Sequence, residues 1–188
     1  MKSMKSMKSI KQLLVGVIFA IATVFTVSPA FAADGVFNIA KGRVNELTNR
    51  VAANDPTNSG LVVALFQVAE ADATLEDYDT MTAILAGSNT EATFTNYARK
   101  VLTDAEVSAA AVNDTTNNMA SDIPDQVWTA AGGTTDNTLV KMAIFYDPDT
   151  TGGTDADLIP LTHLDFATTT NGNDLTAVMA ATGFFVAD

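Results

Sequence analysis

Leu139-Val140-Lys141-Met142-Ala143-Ile144-Phe145-Tyr146 is apolar at every even position, and its one charge, Lys141, falls on the odd set. Side chains alternate across a strand. The run therefore predicts a β-strand whose even face, Val140, Met142, Ile144 and Tyr146, is the core face. Leu61-Val62-Val63-Ala64-Leu65-Phe66-Gln67-Val68 is short, apolar and β-branched, and predicts a second, buried strand. From Glu91 onward, runs of roughly six to nine residues alternate with turn signals. Strands are expected over 93–101, 106–112, 119–123, 126–130, 139–146, 158–166 and 175–181, the texture of an antiparallel sandwich. Trp128 falls in this texture as a core residue, and Phe184-Phe185 as the anchor of the last strand.

Ahead of the strands, Phe37, Ala40, Val44, Leu47 and Val51 are spaced 3, 4, 3 and 4. That is one apolar helical stripe, so an amphipathic helix is expected over 37–53, stopped by Asn54-Asp55-Pro56. Lys41, Arg43 and Arg50 lie off the stripe, as a solvated face or a basic face for an acidic neighbour. Acidic Leu75-Glu76-Asp77-Tyr78-Asp79 leads into Met81-Thr82-Ala83-Ile84-Leu85-Ala86, a short helix closed by Gly87. The fold class is thus α+β: mainly an antiparallel, jelly-roll-like β-sandwich with an N-terminal amphipathic helix and one short helix. No linker divides it, so 33–188 reads as a single β-rich domain.

Residues 1–32 read as a secretory signal peptide. Four lysines lie in the first eleven positions, LLVGVIFAIATVF follows, and Ala30-Phe31-Ala32 offers a small-x-small cleavage site after Ser28-Pro29. The apolar stretch is shorter than the roughly twenty residues of a membrane span. Cleavage near Ala32 makes the protein secreted, periplasmic or extracellular. It leaves 156 residues with 6 basic and 22 acidic groups, a net charge of −16. That balance excludes non-specific nucleic-acid binding and docking on anionic lipid, both of which need cations. The absence of cysteine excludes disulfides, thiolate metal sites and cysteine nucleophiles.

The best local motif is Asp147-Pro148-Asp149-Thr150-Thr151-Gly152-Gly153-Thr154-Asp155-Ala156-Asp157. Calcium takes several oxygens from a loop that turns sharply. Asp147, Asp149, Thr151 and Asp155 follow the opening of an EF-hand loop, and Asp157 is the further candidate ligand. The twelfth position is Leu158 where a bidentate Glu is needed, so the EF-hand pattern fails. The alternative is an acidic turn between two strands. No cofactor is expected, and calcium is the one candidate ion. Glu70, Asp72, Glu76, Asp77 and Asp79 form a second acidic cluster without sugar-cradling aromatics. His163, next but one to Asp165, is the only histidine, and no serine lies in a nucleophile elbow. It reads as a structural residue, and no catalytic residue is assigned.

FNIAKGRVNEL (37–47), NRVAANDPTNSGLVV (49–63), EADATLEDYDTMTAILAG (70–87), ARKVLTD (98–104), DIPDQVWTAAGG (122–133), FYDPDTTGGTDADLIPLTHLDF (145–166) and NGNDLTA (171–177) resemble a family of small, mostly uncharacterised, virion-associated structural proteins from the capsid and head regions of tailed bacteriophages. The resemblance spans nearly all of 37–185. It implies a structural role, such as a capsid-surface or head-associated protein, here behind an added signal peptide. The expected function is a non-enzymatic assembly protein, exported, that self-associates or decorates a larger particle or cell surface. Its partners are copies of itself or an assembly protein, with no nucleic acid and no membrane once the signal is removed. One route to assembly is donation of the arm 33–38 to a neighbour's sheet. The alternatives are a calcium-stabilised, adhesin-like binding module, and a secreted hydrolase using His163 or acids such as Glu76.

Overall fold

A computed structural model describes residues 35–188; the signal-peptide reading of 1–32 lies outside them. Eleven strands are described: β1 (Gly35–Val36), β2 (Gly60–Val68), β3 (Thr90–Glu91), β4 (Lys100–Leu102), β5 (Ala111–Asn113), β6 (Asn118–Ser121), β7 (Gln126–Trp128), β8 (Thr138–Asp147), β9 (Ile159–Thr169), β10 (Leu175–Ala177) and β11 (Phe185–Ala187). The helices are α1 (Val44–Ala52), α2 (Asp72–Leu75) and α3 (Met81–Ala86), with a 3-10 turn at Asn38–Ala40. The fold is α+β and mainly β, and every strand pairing is antiparallel. The main sheet has the order β1-β9-β8-β2-β3, with β4 also on β2; β7 pairs β10, and β6 joins β5 to β11.

Of the three long strands, β2 and β8 are buried on both faces over most of their length and β9 over 160–164, while Asp165, Ala167 and Thr169 of β9 are exposed. Leu61, Val63 and Leu65 of β2 register with Tyr146, Ile144 and Met142 of β8. They share one core with Val44, Leu47 and Val51 of α1 and with Ile123, Trp128, Ala177 and Phe184 from the region of the small sheets. Val62, Ala64 and Phe66 point the other way, with Ala143 and Phe145, into a second core closed by Phe37, Leu75, Met81 and Ile84. The even-face expectation for β8 holds from Met142 to Tyr146. At the register shift between Leu139 and Lys141 it does not: Leu139 is fully buried and Val140 only partly.

Four expectations are corrected. The helix expected over 37–53 begins at Val44. Gly42 adopts φ +79°, a left-handed conformation that stops helical propagation. Phe37, first in the periodic stripe, enters the second core, on the other side of the sheet from Val44. The strand expected over 93–101 is a turn-containing connection with Asn96 at φ +70°, and only its last two residues join β4. The strand expected over 106–112 is reduced to β5 at its far end. The single short helix is two: α2 ends at Leu75, the acidic residues form the turn, and α3 restarts where the Thr80 hydroxyl accepts the Ala83 N–H at 3.1 Å.

Candidate functional site

His163 faces the second core by the ordinary alternation of β9, in register with Ala143 of β8 on one side and Gly35 of β1 on the other. It is fully buried. Its Nε2 lies 3.4 Å from Oε1 of Glu76, and the Phe37 ring meets the imidazole edge-on with centroids 5.5 Å apart. Among the described residues Nδ1 has no hydrogen-bond partner. Glu76 is anchored from outside by Lys41 at 3.5 Å, and Lys41 donates to Asn38 Oδ1 at 2.6 Å. A general base must reach a substrate proton. Here the β1 backbone covers the imidazole so closely that a Cβ on Gly35 would overlap Nε2. What this geometry does is fasten β1 and the 3-10 turn to the sheet: Phe37 N–H donates to Leu161 O at 3.1 Å and Asn38 N–H to Glu76 O at 2.9 Å.

The acidic residues around α2 do not converge on one point. Tyr78 and Asn89 each donate to Oε2 of Glu70 at 2.7 Å. These hydrogen bonds, the Tyr78 one foremost, hold the Glu70 carboxyl below its ordinary value, while the carboxylate pushes the Tyr78 phenol up. Asp72 and Asp165 clasp buried Lys141 at 2.7 and 2.5 Å. Burial opposes the Lys141 charge, but its bonds to Asp165 and Asp72 outweigh burial and keep the ammonium above its ordinary value. Asp77 accepts from Asn38 at 2.5 Å. The basic residues set aside as a helix face are paired within the chain too, Arg43 and Arg50 both with Glu46.

The acidic loop that joins β8 to β9 is organised by its own backbone. Asp147 accepts the Asp149 N–H at 3.0 Å, Asp149 accepts the Thr151 N–H and hydroxyl, and Asp157 accepts those of Thr154. Asp147, nearly buried, is pushed up by burial and by the charges of Asp149 and Asp157, its own bond to the Asp149 N–H acting the other way. Asp155 is turned out of the loop to Arg99, which grips it at 2.5 Å through Nη1 and 3.0 Å through Nη2. Arg99 also forks onto Glu91, with Nε and Nη2 each at 2.7 Å. The Tyr97 hydroxyl donates to Glu91 at 2.7 Å and accepts the Leu65 N–H at 3.1 Å. Of the five candidate ligands, then, Asp149 and Asp157 stay within electrostatic reach of Asp147, Thr151 donates its hydroxyl to Asp149, and Asp155 serves an ion pair. No group of three His, Asp or Glu side chains placed to hold a metal is found among the described residues.

Arg99, Glu91 and Tyr97 were not legible as a unit, because a loop brings them together. One signal was present: with 6 cations for 22 acids after residue 32, each cation is a scarce partner, and a buried one must be paired. Gly35 gave no signal at all. Comparison with protein-family models, with curated proteins and with solved structures finds no match.

Proposed function

We propose that the chain is a non-enzymatic structural subunit, exported by removal of 1–32, that assembles with copies of itself or on a larger particle or cell surface. The observation that carries this reading is the free edge of the three-stranded sheet. All three residues of β5 are exposed, and Val112 at its centre is 68% exposed. An edge strand offers unpaired N–H and C=O groups, and natural edges are usually guarded by a charge, a proline or a covering element. Here β5 is blunted only by its shortness, three residues; Val112 sits between Ala111 and Asn113 with no charge or proline in the strand. The finer architecture, a jelly-roll-like sandwich, belongs to this reading. It is supported by the shared core in which Trp128 and Phe184 meet Val63 and Met142. The arm proposed for strand donation has Gly35–Val36 seated on the chain's own β9, so β5 is the better edge for a neighbour.

The test is light scattering on the mature protein over a wide concentration range. Oligomers are expected, and Val112→Lys shifts them to monomer with the circular-dichroism spectrum unchanged, since the side chain is 68% exposed and touches little of the core. A strict monomer at every concentration overturns the proposal. N-terminal sequencing of the protein from its source is expected to begin near Ala33; an intact Met1 removes the export half of the reading.

A second reading, a calcium-stabilised binding module, is favoured by one observation: nearly buried Asp147 faces the charges of Asp149 and Asp157, which a cation would relieve. The two readings part in one titration. Under the second, calcium raises Tm by several degrees and Asp157→Asn abolishes the rise; under the first, neither happens.

A further inference from the structure

The other face of the β5-β6-β11 sheet carries a groove of about 340 Å³. Its floor is a cross-strand row of small side chains, Ala111 opposite Ala120 opposite Val186. Asn113 and Asn118 pair in the next row, and Asp122 and Thr182 stand at the rim. Part of the rim's hydrogen-bonding capacity is already used, since the Asn113 side-chain oxygen accepts the Thr115 and Thr116 N–H groups at 3.0 and 3.2 Å. No bond from another described residue reaches the side chains of Asn118 or Thr182, and one Asp122 oxygen is left after the other accepts the Ile123 N–H. Nothing in the lining is cationic.

We infer that this groove binds one unit of a neutral oligosaccharide. A pyranose ring has a C–H face that packs on a shallow apolar floor and a circumference of hydroxyls that needs both donors and acceptors. The Asn118 amide supplies both, the Asn113 NH2 donates while its oxygen serves Thr115 and Thr116, the Asp122 carboxylate accepts, and the Thr182 hydroxyl does either. The volume is at the lower end for small-molecule sites and suits a single ring or two. An anionic ligand finds no cation and meets Asp122, so phosphorylated, sulfated and uronic sugars are rejected. The floor lacks an aromatic ring, so contact is by dispersion over small side chains and the affinity is of millimolar order. The groove shares β5 with the assembly edge, but Val112 alternates to the face opposite Ala111 and Asn113, so a change at Val112 tests the edge without entering the groove.

The experiment is an amide-resolved NMR titration of the mature protein with maltotriose, mannotriose, diacetylchitobiose and digalacturonate, each to roughly 20 mM. At least one neutral probe is expected to shift amides of β5, β6 and the 181–186 segment, with digalacturonate at least tenfold weaker. Ala120→Phe fills the floor and removes binding. Asp122→Ala, at an exposed position, weakens it about fivefold to tenfold without altering the fold. Val112→Lys leaves it intact, which separates failure here from failure of the assembly proposal. The inference is overturned if no neutral probe shifts these amides, if Asp122→Ala and Ala120→Phe bind as the parent does, or if digalacturonate binds equally well.

Discussion

Gly35→Val lowers the stability of the protein by roughly 3 kcal/mol, the upper end of what overpacking costs. A Cβ at this position overlaps Nε2 of His163 and stands 2.5 Å from Oε1 of Glu76. The fully buried imidazole cannot yield easily, and Glu76, though flexible and partly exposed, gives way only by loosening its contacts. The imidazole is wedged between Phe37 and the sheet, and Glu76 is drawn to His163 on one side and Lys41 on the other. The remaining escape is for β1 to leave β9. That movement pulls on Phe37, which is fully buried two residues later, and on the bonds from Phe37 N–H to Leu161 and Asn38 N–H to Glu76. For a chain of this length the loss corresponds to a fall in Tm of about 6–12 °C. Thermal and urea unfolding give the measurement, and a double-mutant cycle supplies the cause. Gly35→Ala combined with His163→Ala should recover most of what Gly35→Ala alone loses, because the clash is with the ring. A Gly35→Val protein as stable as the parent, or no coupling between the two positions, contradicts this account of the His163 cluster.

Arg99→Ala is expected to cost about 2–3 kcal/mol, below the full figure for a broken buried pair because one carboxylate, Asp155, is about a third exposed. The substitution leaves Glu91 with Tyr97 alone and frees the acidic loop from the β3–β4 side of the sheet. Arg99→Lys should recover only part of the loss, since an ammonium cannot fork onto Glu91 and reach Asp155 at once. The pH dependence has a definite sign. The guanidinium beside Asp155 holds its carboxyl below the ordinary value against the opposing effect of burial, so the folded value is depressed relative to the unfolded one. The stabilisation is therefore complete above the ordinary carboxylate range and fades as pH falls through the depressed value. Urea denaturation should show the largest gap between parent and Arg99→Ala near neutral pH. The gap narrows in acid below the ordinary carboxylate range. A gap that is constant or widens in acid means that Arg99 acts by packing and not by charge.

The two predictions concern groups that were visible in the sequence to different degrees. His163 and Glu76 each carry chemistry that the sequence shows, but 87 positions separate them and no local pattern joins them. Its spacing within a turn makes Asp155 a candidate calcium ligand, and Arg99, 56 positions away, takes it instead. Spacing states which side chains a loop can bring together, but a charge chooses its partner from everything the fold brings near. The same limit explains the missed loop at 93–101. Ala92 and Phe94 are buried there as strand residues would be, yet they are buried from a turning backbone.

What the sequence determined by itself is local. Apolar runs at 61–68 and 139–146 are strands because no other element buries so many β-branched and aromatic side chains in so few residues, and the acidic balance follows from composition alone. The tertiary structure decided the rest. It put Phe37 and Val44 on opposite sides of one sheet although they share a helical stripe, and it covered both faces of β8 although one face carries Lys141. The physical reason is that periodicity records whether a side chain is buried, whereas the layer that buries it and the partner that neutralises it are fixed by chain segments far away.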